Sequence, residues 1–274
     1  MGHGEDFPEP SEAIANLGFR NYLLYLYRQW RAGLKSAAIS TVASKASRYP
    51  LFFRPHTTDL KVFSQIFMFR EYAFLDFVEH PDLIVDCGAN VGYSSAYFLT
   101  RFPRARVIAV EPDPGNFALL KRNLAPFGSR VRLHQTAVWS HPTLLTLDAL
   151  PYRDGGEWAR QARECAPDEK GGFWATDIGT LLKGSGYARI SLLKIDIEGA
   201  EGVIFAKRPL PWLDLVDCLV IEIHDDTVYG DNRATVTRAM EDAGFQLTES
   251  GELSIGTRRA TVRNDSRLVA PPTP

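Results

Sequence analysis

A short apolar strand, Leu83-Ile84-Val85-Asp86-Cys87, runs into Gly88-Ala89-Asn90-Val91-Gly92 and passes at once into a helical pattern over Ser94 to Phe102. A strand that turns so tightly into a helix constrains the fold, because parallel strands need helical crossovers and collect ligands beyond their carboxyl ends. The same rhythm repeats downstream. Arg106 to Glu111 reads as a strand, Asn116 to Leu124 as a helix and Val131 to Trp139 as a third strand. After an interruption come a helix near Asp177 to Lys183, a strand Ile190 to Asp196 and a helix from Ala200. A strand Val216 to His224 and a helix Arg233 to Ala243 follow, and Phe245 to Glu249 with Arg258 to Asn264 read as a closing antiparallel pair. Alternation of this kind predicts one doubly wound α/β domain. A chain of 274 residues has room for that domain and an extension.

The extension is N-terminal. Ser11 to Ala46 carries apolar residues at Ile14, Leu17, Tyr22, Leu23, Tyr25, Leu26 and Trp30, a helical pattern that Gly18 and Gly33 break into pieces. Its apolar face must pack on the domain's own core, on a second subunit as a homodimer, or over the site as a lid. Leu51 to Arg54 reads as a short strand, and Thr58 or Asp59 as the cap of a helix running on to Phe77. His141 to Gly172 interrupts the alternation: Thr143 to Leu147 adds a strand, but Pro151 to Gly171 is polar, and a connection this long is functional or disordered. Residues 1–50 are thus expected as a helical extension, 51–265 as the catalytic domain and 266–274, including Pro271 to Pro274, as a frayed tail.

Composition narrows the function classes. A net charge of −2 offers no concentrated basic field for nucleic acid, and the cluster Arg101, Arg104, Arg106 reads as solvated surface. Cys87, Cys165 and Cys218 form no CxxC or even-numbered framework, which points to a reducing, cytoplasmic setting. Met1 to Ser11 is acidic and lacks the basic start and apolar core of a signal peptide. Tyr22 to Trp30 is too short to span a bilayer.

The glycine turn does not fit a dinucleotide. G-x-G-x-x-G would need glycine where Asp86 and Val91 stand, which argues against a nicotinamide-dependent dehydrogenase. Asp86-x-Gly88-x-Asn90-x-Gly92 instead resembles the D-x-G-x-G-x-G turn of S-adenosylmethionine-dependent methyltransferases, with Asn90 as a residue tolerant of left-handed backbone. On that reading Asp86, Gly88, Ala89, Asn90 and Gly92 hold the cofactor, Asp86 meeting its ammonium directly or through water. Glu111, 25 positions after Asp86, ends the next strand where a carboxylate accepts from ribose hydroxyls, and Pro112 turns the chain away. Thr136 and Ala137 mark the strand tip expected beside the adenine. Trp139 is there either as core or as a stacking partner.

A second dense block, Lys194-Ile195-Asp196-Ile197-Glu198-Gly199-Ala200-Glu201, places Lys194, Asp196 and Glu198 on one rim, where buried charge must be paired or functional. Glu222, His224, Asp225 and Asp226 end the neighbouring strand. Together with Asp86 to Gly92, Glu111-Pro112, Arg54-Pro55-His56-Thr57-Thr58-Asp59 and Glu71-Tyr72, these stretches resemble the FkbM family of methyltransferases over roughly residues 50 to 250. His56 stands where that pattern favours a small residue or glycine. The resemblance implies a Rossmann-like, seven-stranded class I methyltransferase fold, mostly parallel with an antiparallel closing strand. It implies S-adenosylmethionine as donor, S-adenosylhomocysteine as product, and O-methylation of a sugar, polyketide or other natural product. It also groups Glu71 and Tyr72 with the cofactor residues, and Lys194, Glu198 and Glu222 with the acceptor. His224 is the first candidate for base, since an unperturbed imidazole titrates near ~6.5, and Asp196 the second. Asp196, Glu222 and His224 also form a possible divalent cation set. N-methylation of an amine and a non-catalytic S-adenosylmethionine-binding module remain the alternatives.

Overall fold

The computed structural model describes residues 9–34, 38–147, 162–166, 168–169, 171–224 and 229–258. The chain enters through α1 (Pro10–Leu17) and α2 (Phe19–Ala32), separated by Gly18 at φ 86°. A small hairpin follows, β1 (Ser40–Val42) against β2 (Leu51–Phe53). The helix expected up to Ala46 therefore stops at Ala32, and Ser40–Val42 is extended because it pairs with Leu51–Phe53. Ala13, Leu17 and Tyr25 enter the same buried cluster as Phe63, Phe67 and Phe98, so the extension packs on the domain's own core.

α3 (Asp59–Phe67) is also shorter than its sequence pattern. Arg70 takes a left-handed φ of 56°, and the chain resumes as a 3-10 turn over Ala73–Phe77. Then come β3 (Leu83–Cys87), α4 (Tyr93–Arg101), β4 (Arg106–Val110), α5 (Pro114–Leu124) and β5 (Val131–His134). β3 is buried at every position, as expected of a parallel strand covered on both faces. Asp113 caps α5 by accepting from the Asn116 amide, with Pro114 at the first helical position.

The third strand ends earlier than Trp139. After His134 the chain leaves the main sheet and forms β6 (Ala137–Val138), which joins β7 (Thr143–Leu147), β8 (Ala162–Glu164) and β9 (Phe173–Thr176) in a separate four-stranded sheet. Half of the 141–172 connection that can be described is thus strand. The remainder, including Pro151 to Arg160, lies outside the described residues.

The alternation resumes with α6 (Ile178–Ser185), capped by Asp177, then β10 (Leu192–Ile195), α7 (Glu201–Ala206), β11 (Cys218–Glu222) and α8 (Asn232–Asp242). The closing pair is β12 (Gln246–Ser250) and β13 (Leu253–Thr257), a tight hairpin through Gly251. Its second strand precedes the expected Arg258 to Asn264, most of which, like the 266–274 tail, falls outside the described residues. The main sheet runs β12-β13-β11-β10-β3-β4-β5. β11, β10, β3, β4 and β5 are mutually parallel, and β13 is antiparallel to β11. The chain winds outward from β3 to β5 and then returns to β10, so the order reverses between β3 and β10. That reversal opens a crevice at the carboxyl ends.

Candidate active site

The turn after β3 is built from left-handed residues: Gly88 at φ 79°, Asn90 at 49° and Gly92 at 87°. Gly88 is required for a second reason. A Cβ there would lie 1.7 Å from the carbonyl oxygen of Asp196, so the turn and the end of β10 touch backbone to backbone.

Asp86 lies fully buried beneath this turn. Its Oδ2 accepts from the hydroxyls of Ser94 (2.7 Å) and Ser95 (2.6 Å), and its Oδ1 faces the Lys194 ammonium at 3.5 Å. Lys194 Nζ in turn donates to the Gly88 carbonyl at 2.8 Å and to Asp196 Oδ2 at 3.2 Å. Burial works to lower the Lys194 pKa, but Asp196 and Asp86 outweigh it and hold the ammonium charged. Asp86 Oδ1 accepts no hydrogen bond among the described residues, with the Lys194 ammonium 3.5 Å away. Asp86 shapes the turn from behind, and Lys194, read from sequence as an acceptor contact, is buried in the same network.

Glu111 follows β4. Its Oε2 accepts from the Asn90 amide and its Oε1 from the Asp113 amide, both at 2.9 Å, so it clasps the glycine turn to the start of α5. Burial raises its pKa, opposed by these backbone donors and by Asn116. A carboxylate offers about four acceptor positions, which leaves room for a ligand hydroxyl. The loop ahead of α3 braces the same region. Arg54 pairs with buried Asp59 at 2.8 Å and reaches Asn116 Oδ1 at 2.8 Å, while His56 sits at φ 60°, the conformation that explains the expected preference for glycine there. Thr136 and Ala137 follow the end of β5, Thr136 Oγ1 donating to the Trp174 carbonyl at 2.7 Å. Trp139 is core: it is buried against Tyr229, edge-on at 5.8 Å, and its Nε1 donates to Glu164 at 3.1 Å.

Across the crevice, the turn after β10 also bends through left-handed residues, Glu198 at φ 54° and Gly199 at φ 89°. His224, just past β11, places Nδ1 2.8 Å from Glu201 Oε1. Its Nε2 lies 3.7 Å from Glu198 and 3.6 Å from Glu222. Glu201 is fully buried and also accepts from the Gly199 amide at 3.1 Å and the Asn232 amide group at 3.3 Å. Asn232 Nδ2 further donates to the His224 carbonyl at 2.9 Å, so one buried side chain ties α8 to both loops. Asp225 and Asp226 lie outside the described residues.

The charge around His224 corrects the expectation of an unperturbed imidazole. Burial alone would lower its pKa, but the Glu201 hydrogen bond and the charges of Glu201, Glu198 and Asp196 raise it to about 9. The carboxyls around it shift upward too. Burial, then Asp196, takes Glu222 to about 7, and the same two causes raise Glu198. Glu71 is raised by burial and sits within the field of Lys194, Asp196 and Glu252, while Tyr72 is buried against Tyr97 and Phe98. The cation-type donors that converge are Asp196, Glu198 and His224, whose ligand atoms lie within 4.8 Å of one another. Glu198 therefore takes the place expected for Glu222.

Sequence reasoning gave no role to Ser94, Ser95, Glu201 or Asn232. Glu201 was visible as a third acid in the Asp196-to-Glu201 block. The serines follow Tyr93 in the first turn of α4. Asn232 carried no signal.

A glycine turn clasped by an acid on the next strand, at the reversal point of a sheet with this strand order, defines a class I methyltransferase. A model of the methyltransferase FkbM domain matches residues 86–247, more than half of the chain, and the chain belongs to that family. Methyltransferase sdnD of Sordaria araneosa is 27% identical over 68% of this chain and 82% of its own length. The 2-O-methyltransferase NoeI of Sinorhizobium fredii is 26% identical over 63% of this chain and 73% of its own. The solved methyltransferase FkbM of Methylobacillus flagellatus superposes with a TM-score of 0.39 at 15% identity, covering 86% of this chain and 58% of that one.

Proposed function

We propose that the chain methylates a hydroxyl of a small-molecule acceptor, such as a sugar or another natural product, with His224 taking the proton. The observation that carries the reading is the His224–Glu201 pair: a fully buried carboxylate holds Nδ1 at 2.8 Å and leaves Nε2 beside Glu198 and Glu222 at the crevice rim. S-adenosylmethionine supplies a methyl group already activated on a cationic sulfur. The Gly88–Gly92 turn, Glu111 and the Thr136–Ala137 tip are the residues that would hold it, and the acceptor positions left on Glu111 suit a nucleoside sugar. Positioning of an acceptor against such a donor supplies about 7–11 kcal/mol, and a base a further ~10²–10⁴-fold. An imidazole with a pKa of about 9 is a stronger base than an ordinary one and scarcer in its neutral form at neutral pH. That NoeI is named a 2-O-methyltransferase supports oxygen as the acceptor atom.

The crowding of Asp196, Glu198 and Glu222 favours a positive charge on the acceptor side. It supports methylation of an amine as a second reading. Deuterated S-adenosylmethionine, offered with panels of glycosides and amines and read by mass spectrometry, tests both. Labelled ether products that disappear in His224→Ala support the first. Labelled amines formed at an unchanged rate by His224→Ala would replace it with the second.

A further inference from the structure

α2 turns much of its apolar surface away from the protein. At 3.6 residues per turn, Phe19, Leu23, Leu26, Tyr27 and Trp30 fall within one arc of about 100°, while Tyr25, nearly opposite, is buried. Each of those five is at least 40% exposed, Trp30 reaches 67%, and Leu34 continues the row one turn on. A continuous row of large apolar side chains is an interaction surface rather than scattered exposure.

Charge selects among its partners. Arg20 and Arg31 are exposed along one edge of the arc and form no ion pair among the described residues, and α2 contains no Asp or Glu. Two copies related by a two-fold axis, with these faces packed antiparallel, would bring all four of those guanidinium groups onto the same edge, a repulsive arrangement without a counter-charge. An anionic surface turns the same edge into an attraction. Trp30 and Tyr27 combine an apolar ring with a polar handle, the side chains that settle at lipid headgroups. The helix has 14 residues, about 21 Å, and no helix among the described residues is long and apolar enough to cross a membrane. It can lie on a bilayer but not span one.

We infer that α2 docks this methyltransferase onto an anionic lipid surface, with Phe19, Leu23, Leu26 and Trp30 inserted at headgroup depth and Arg20 and Arg31 against lipid phosphates. The test is co-flotation of the full chain with phosphatidylcholine vesicles and with vesicles containing about 30% phosphatidylglycerol, alongside sedimentation velocity without lipid. Flotation with the anionic vesicles only, lost at about 0.5 M salt where screening is strong, supports the inference. Arg20→Gln with Arg31→Gln should weaken vesicle binding about tenfold or more, and Trp30→Ser should weaken it in low salt as well, both proteins keeping the wild-type circular dichroism spectrum. A dimer that Trp30→Ser dissociates, with no flotation, would assign the face to a second copy and overturn the inference. A monomer that ignores both vesicles, or binds both equally, overturns it too.

Discussion

The turn after β3 and the turn after β10 lie back to back, each with a carboxylate next to the last residue of its strand and each bending through left-handed residues. Beneath the first, two hydroxyls and an ammonium surround Asp86. Around the second, Asp196, Glu198, Glu201 and Glu222 share one imidazole, with Lys194 reaching Asp196 from below. The same backbone device therefore builds a settled floor on one side of the crevice and a store of unbalanced negative charge on the other. A settled floor suits a ligand bound in every cycle. Unbalanced charge suits a place where a proton moves or a cation arrives.

The comparison breaks most completely at the seam. Gly88→Ala puts a Cβ into the Asp196 carbonyl at a φ that alanine resists, and should cost more than about 3 kcal/mol and abolish S-adenosylmethionine binding. Thermal denaturation with calorimetry checks it, and a wild-type melting point would show that the two turns do not touch. Asp86→Ala leaves the buried Lys194 with one carboxylate fewer and should destabilise the fold by about 3–5 kcal/mol while weakening cofactor affinity. Intact stability in urea would mean that the floor is not held by charge.

On the other side, His224→Ala should fold and bind cofactor normally yet lose about 10²–10⁴-fold in turnover. Glu201→Gln should reduce turnover on the order of tenfold at high pH and change its pH dependence. Turnover of the wild type should climb as the imidazole loses its proton, levelling near pH 9; without the Glu201 charge the levelling point should fall toward the ordinary value of ~6.5. An identical profile in both proteins would make Glu201 a packing residue only. The smallest effect is expected from EDTA, less than about twofold. A tenfold loss restored by Mg²⁺ would instead assign Asp196, Glu198 and His224 to a divalent cation.

Much of the fold was legible because it rests on local pattern. The β3 run is written in neighbouring residues, and β3 occupies the expected Leu83–Cys87. The apolar spacing from Val62 to Phe77 contains no glycine or proline, so nothing local announces that Arg70 turns left-handed and ends the helix. The end of β5 was misplaced for a similar reason: Ala137 and Val138 have strand character but find their partner in Phe173–Thr176, far along the chain. At the site, Asp86, Glu111, Asp196 and His224 could be placed together because parallel strands bring their carboxyl ends to one edge. The charges that face them could not be read, because Lys194 passes under the turn and Glu201 reaches His224 from 23 residues away.

Because the Gly88 backbone rests directly on the Asp196 carbonyl, the two halves of the crevice share a hinge pin with no slack. Any side chain added there wedges the halves apart, and any tilt of one loop carries the other with it. Changing which molecules this enzyme accepts is accordingly a task for the residues that wall the crevice further out, with Gly88 left as it is.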